Sequence, residues 1–175
     1  MRLKQYYVDT TTTGTVSPWH MLDWRQNPFS VSFQVDAVGG AAFIIELGYS
    51  DLVSKKVTVT RSTTTATLTY ANHGLTTGDS VIVYNCGAPL DGTFTVTRSS
   101  SNVVTYTVAN SGATAVYPDL ARAIFIKPMT HSSFSSPATA SIDCQAGAPV
   151  QFVRLKVTTG AAGNATLLIS QGSNY

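Results

Sequence analysis

No window of this chain carries apolar residues at i, i+3, i+4 and i+7 over three turns. Instead Val, Ile, Thr, Tyr and Phe recur in short alternating runs, separated by Gly, Asn, Asp and Ser. Apolar positions with a period of two can be buried on one side only as a pleated strand, and many such runs in succession point to a sandwich or a barrel. The one stretch with a helical option is Pro18 to Trp24, which could form a single turn after Ser17.

Along the chain the runs fall into two textures. In the first, Phe29, Val31, Phe33 and Val35 alternate with Ser30, Ser32 and Gln34. Gly39-Gly40 then supplies a turn, and Phe43, Ile45 and Leu47 mark a returning strand, so the pair reads as a hairpin. From about Lys56 the rhythm tightens. Residues 57–59, 65–70, 80–84, 93–96 and 103–108 are five short runs, divided by turn clusters around Asn72-His-Gly74, Thr77-Gly-Asp79, Asp91-Gly92 and Ser99–Asn102. The longer rhythm returns after Pro118, with strands expected at 121–126, at 149–157 (Val150, Phe152 and Leu155 inward) and at 164–170. The expectation is an all-β fold: an immunoglobulin-like or jelly-roll-like sandwich made discontinuously from residues 1–55 and 116–175, with a small β-barrel inserted at 56–115. Such an insertion costs its host little closure entropy.

Composition narrows the function. At 175 residues the chain can bury a real core without staples. Only 11% of it is Asp, Glu, Lys or Arg, against about 25% in a typical soluble domain. A surface this poor in charge repels its own copies weakly and suits a protein packed against neighbours. The net charge of +2 is scattered, with no basic stripe to follow a phosphate backbone, so no nucleic-acid partner is expected. Nor is a membrane, since no apolar run approaches the ~20 residues needed to span one. The first residues lack the apolar stretch of a secretory signal, which implies folding in the cytoplasm of the producing cell. There Cys86 and Cys144 should be free thiols.

Candidate chemistry is sparse. The nine acids include one glutamate, Glu46; the aspartates sit mostly beside turn residues, where capping is the natural role. His20, His73 and His131 lack metal-ligand spacing, so neither a metal nor a cofactor is expected. There is no nucleophile elbow and no phosphate-binding loop. Gly74 and Gly78 suit turns with positive φ. Asp79 suits an Asx turn to the backbone that follows it, and Asp91-Gly92 suits a type I′ hairpin. Tyr6, Tyr7, Trp19 and Trp24 crowd the first 24 residues. Either the tryptophans plug one end of the sandwich, or the N-terminal arm reaches out to pack on a neighbouring subunit. Tyr84, Tyr106 and Tyr117 are the aromatics that a carbohydrate platform would need.

The segment from Ala66 through His73-Gly-Leu75, Gly78-Asp79 and Val81–Tyr84, followed by Leu90-Asp-Gly-Thr-Phe-Thr-Val96 and Asn102–Gly112, resembles a small β-module recurrent in bacteriophage structural proteins. The flanking segments Leu22-Asp23, Asn27–Ser32, Phe43–Asp51, Val153–Val157 and Thr166–Gly172 are similar to those of small phage virion proteins, although Ser50-Asp51 replaces the usual charged pair and the insert splits the pattern. The resemblance implies a non-enzymatic virion protein, foremost a capsid decoration (cement) or auxiliary head protein. Its partners would be the major capsid protein or other virion proteins and further copies of itself, as a homo-oligomer such as a trimer. The alternative it implies is a tail, baseplate or fibre component whose insert adheres to a host-surface glycan.

Overall fold

A computed structural model describes residues 2–9, 11–23, 25, 31–37, 39–109, 115–117, 121–134, 137–146 and 149–171. Among these every regular element is a strand and none is a helix. In chain order the first are β1 (Arg2–Asp9), β2 (His20–Met21), β3 (Val31–Ala37) and β4 (Ala42–Tyr49). Then come β5 (Lys55–Lys56), β6 (Thr58–Ser62), β7 (Thr65–Thr69), β8 (Ser80–Tyr84), β9 (Gly92–Thr95), β10 (Thr97–Arg98), β11 (Val103–Thr107), β12 (Ala115–Tyr117) and β13 (Arg122–Thr130). The last are β14 (Ile142–Ala146), β15 (Phe152–Thr159) and β16 (Asn164–Gln171). They divide between two compact units, residues 1–49 with 129–175, and residues 50–128.

The first unit is a sandwich. One antiparallel sheet runs β1-β16-β3-β14, and β2, β15 and β4 pair in a second. Their inward positions obey the period of two: Val31, Phe33 and Val35 from β3, Phe43, Ile45 and Leu47 from β4, Val153, Leu155 and Val157 from β15, and Ala165, Leu167 and Ile169 from β16 meet in one core. Each fully buried aliphatic or aromatic side chain there is worth about 1.5–3 kcal/mol. Phe152 is the exception to the expected pattern. It is buried on the opposite face of β15 from Val153, edge-on to Trp19.

Two local expectations are corrected here. The segments on either side of Gly39-Gly40 do not form a hairpin: β3 pairs with β16 and β14, while β4 pairs with β15. The two glycines, at φ +90° and +77°, carry the chain from one sheet to the other. A hairpin would put both apolar stripes on one wall of the core and leave the facing wall uncovered; the crossing sets them face to face. Pro18 to Trp24 forms no helical turn over its described residues. Gly14 N, Ser17 N and Leu22 N donate to the carbonyls of Val157, Leu155 and Gln151, so the free edge of β15 satisfies this stretch in extended form. Trp24, Phe29 and Ser30 lie outside the described residues.

The second unit has its own core. A five-stranded sheet, β10-β11-β7-β6-β12, contributes Val59, Ala66, Leu68, Val104 and Tyr106. The opposing strands β8 and β9, with the stretch of β13 from Arg122 to Ile126, contribute Val81, Val83, Ala123 and Phe125. Val57 N donates to Ala121 O, tying the start of the unit to its end.

Candidate functional site

Gly74, Gly78, Asp79, Asp91 and Gly92, singled out in the sequence as turn residues, all lie in the second unit. Gly74 and Gly78 adopt φ +68° and +99°, with open space where a Cβ would stand. Asp79 is buried, and its carboxylate reaches backward to accept from Thr76 N at 2.8 Å rather than forward. The residues after it enter β8 and have ladder partners, so the orphan donor lies upstream. Asp91-Gly92 is likewise no type I′ turn. Positive φ falls on Asn85, Gly87 and Gly92, and Asp91 instead accepts from Cys86 N at 2.7 Å and Gly87 N at 2.9 Å, clamping the longer β8–β9 connection. Gly92 leaves room for the Phe94 ring, which a Cβ would meet at 3.2 Å; that ring stacks on Tyr106 with centroids 4.4 Å apart.

Two histidines do the same work in the two units. His73 accepts from Leu75 N at Nδ1 (2.9 Å) and donates from Nε2 to Ser100 O (3.0 Å). His131 accepts from Ser133 N at Nδ1 (3.1 Å) and donates from Nε2 to Gln145 O (3.0 Å). A backbone N–H on one nitrogen and a carbonyl on the other select the Nε2–H tautomer in both rings. Both imidazoles are buried turn clamps with no lone pair left for a metal or a substrate. Among the described residues no three His, Cys, Asp or Glu side chains come together as a metal site. Burial pushes the thiols of Cys86 and Cys144 up to about 11, away from nucleophilic character.

The aromatics do not act as one group. Trp24 is outside the described residues, and of Tyr6 only the backbone, in β1, is described. Arg2 to Asp9 pairs residue for residue with β16 of its own chain, as the end strand of that sheet among the described residues. Tyr7 is 74% exposed. Tyr106 is buried, which removes it from any surface platform with Tyr84. Tyr84 donates its hydroxyl to Ser54 Oγ, and the backbone of Tyr117 lies in β12. Trp19 covers a charge cluster that sequence reasoning missed. The Arg154 guanidinium lies 4.4 Å from its ring centroid and binds Glu46 Oε2 through Nε (2.7 Å) and NH2 (2.6 Å), while Lys156 Nζ reaches Glu46 Oε1 at 3.0 Å. The available signal was a charged residue at an outward position of each of two otherwise apolar strands.

A concavity in the first unit lies on the outer face of β1-β16-β3-β14. It encloses about 650 Å3. Register builds it as two rows across three strands: Leu168–Gln34–Asp143 and Ser170–Ser32–Gln145. Sheet geometry spaces such side chains by about 4.8 Å across strands and about 7 Å along them. Gln34 Nε2 donates to Asp36 Oδ1 at 3.3 Å. On β1, Gln5 stands opposite Leu168 and Tyr7 opposite Thr166, which extends this face towards the exposed Tyr7 ring.

No family model matches the chain. No curated protein matches it either. Among solved structures it is similar to the phage phi92 endosialidase, at 18% identity and a TM-score of 0.28, over 76% of this chain and 20% of that one. The chain thus spans about one fifth of that protein's length, and a likeness this shallow carries no inference about fold or activity.

Proposed function

We propose that this chain is a non-catalytic structural component of a bacteriophage particle, foremost a decoration or auxiliary head protein that braces neighbouring shell subunits. The observation that carries the reading is the use made of the ionisable side chains. His73, His131, Asp79 and Asp91 each hold backbone in place, Glu46 is locked between two cations, and both thiols are buried. Groups committed in this way supply shape rather than reactivity. The phage-module resemblance of residues 66–112 supports the same reading, and so does a surface poor in charge. Weak contacts repeated over a lattice would supply the bracing.

The test is the stoichiometry of purified particles by quantitative mass spectrometry, with heads and tails separated. Hundreds of copies on tailless heads are expected. A few copies confined to isolated tails would replace the head assignment with a tail or fibre one, and absence from assembled particles would overturn the proposal.

A further inference from the structure

We infer that the concave outer face of β1-β16-β3-β14 is a binding trough for a neutral glycan, with Gln34, Asp143, Gln145, Ser32 and Ser170 as its hydrogen-bonding groups. This concerns the first unit alone and does not depend on the particle assignment.

Volume comes first. About 650 Å3 lies within the ~300–1,000 Å3 range of small-ligand sites, whereas a flat sheet face encloses nothing comparable.

Chemistry then selects the occupant. The lining offers two hydroxyls, two carboxamides and one carboxylate, with Leu168 as the outward-facing apolar side chain and the core residues Phe33 and Cys144 beneath. Hydroxyls and amides both donate and accept, which matches a ligand whose every oxygen does the same. No Lys or Arg lines the trough, and Asp143 contributes a negative charge, so a phosphorylated, sulfated or sialylated ligand would be repelled. An extended peptide is disfavoured for a different reason. β16 and β3 each have paired strands on both sides, so a peptide could pair only along the outer side of β14, the end strand of this sheet among the described residues, where it would lie beside the two rows rather than across them, and one outward-facing leucine provides no row of side-chain pockets.

The Tyr7 ring, on the same face and 74% exposed, adds an apolar plane on which a sugar ring can stack beyond the two polar rows. With a single exposed aromatic and otherwise solvated polar contacts, single-site affinity should fall near the millimolar end, about −4 kcal/mol.

The experiment presents the full chain to an array of immobilised neutral oligosaccharides (glucans, galactans, mannans) beside sialylated and sulfated ones. The best neutral hit is then titrated by NMR. Asp143→Ala and Gln145→Ala, both at exposed positions, should weaken that hit at least tenfold, and Ser170→Trp, which fills the trough, should abolish binding. Tryptophan fluorescence melts should match the parent in all three, and Tyr49→Ala should bind as the parent does. The inference is overturned if no neutral glycan binds at concentrations on the order of 10 mM, if acidic glycans are preferred, if the trough variants bind undiminished, or if a peptide rather than a sugar occupies the face.

Discussion

Replacing Arg154 with Met should destabilise the first unit by about 3 kcal/mol, and replacing Glu46 with Leu in the same chain should restore most of the loss. Side-chain exposure is 4% for Arg154 and 7% for Glu46, so each ion has left water for the other. Removing one partner of such a pair costs about 3–5 kcal/mol, because a charge is left buried without compensation. The cation–π contact of Arg154 with Trp19 goes too, at roughly 1–2 kcal/mol. Against this, Lys156 stays within 3.0 Å of Glu46 and offsets about 1.5–3 kcal/mol. The double variant removes both buried charges and lets Lys156, already 39% exposed, turn to water, so it should lie within about 1 kcal/mol of the parent. Both tryptophans belong to the first unit, so their fluorescence in urea follows that unit alone. With an m value of about 1–3 kcal/mol per M, the single variant should lower the midpoint by roughly 1–3 M. A single variant within 1 kcal/mol of the parent, or a double variant no better than the single, would refute the account of Glu46 as a charge held only by its partners.

Gly39→Ala should cost at least about 3 kcal/mol and Gly40→Ala only about 1 kcal/mol, read from the same melts; both have positive φ, but a Cβ on Gly39 would meet Ala162 O at 1.7 Å and one on Gly40 meets nothing within 4 Å. Near-equal losses would count against the close approach. At pH 8 Ellman's reagent should label Cys86 and Cys144 only after unfolding, since a thiol raised to about 11 holds on the order of one part in a thousand thiolate; prompt native labelling would contradict their burial. Asp51→Asn should change stability by about 0.5 kcal/mol or less, because its partner Lys55 binds it at an exposed site. The hydrogen bond from Lys55 lowers the Asp51 carboxyl from 3.8, so what it contributes is present above that value and fades as pH falls through the folded one; a larger effect at neutral pH would show a better-desolvated pair.

The strands were legible where one face of a run is buried and the other is not. Ser80–Tyr84, Val103–Thr107 and Asn164–Gln171 follow from alternation because a slip of one residue would turn their buried apolar positions (Val81 and Val83, Val104 and Tyr106, Leu167 and Ile169) outward. Alternation gives the face of a strand and not its partner, and the errors follow from that. β3 and β4 look like a hairpin because they are adjacent and separated by two glycines, yet the decisive quantity is a core that needs two walls. Phe152 looks inward because it is apolar, but Val153, Leu155 and Val157 hold the inward positions, and Phe152 is buried by Trp19 on the other side. Arg2–Asp9 carries too little alternation to announce a strand; its place is set by the outer edge of β16.

The same distinction governs the two sites. Asp79, Asp91 and His73 were legible as turn residues because a turn is local, yet which amide each would satisfy was not, since the orphan donor depends on where the flanking strands find their partners. Glu46 with Arg154, and Gln34 with Asp143 and Gln145, are less legible still: their members are more than one hundred residues apart and meet only through strand register. A charged or amide residue at an outward position is, within one strand, indistinguishable from ordinary solvated surface. It becomes an ion pair when Arg154 is set opposite Glu46, and part of a polar grid when Gln34 falls between Leu168 and Asp143. Register is fixed by the buried faces, so the core residues of β3, β14 and β16 determine which polar groups stand together on the outside. A substitution that shifted β14 by two residues would keep its alternation and take Asp143 away from Gln34, so the trough depends on the core as much as on its own lining.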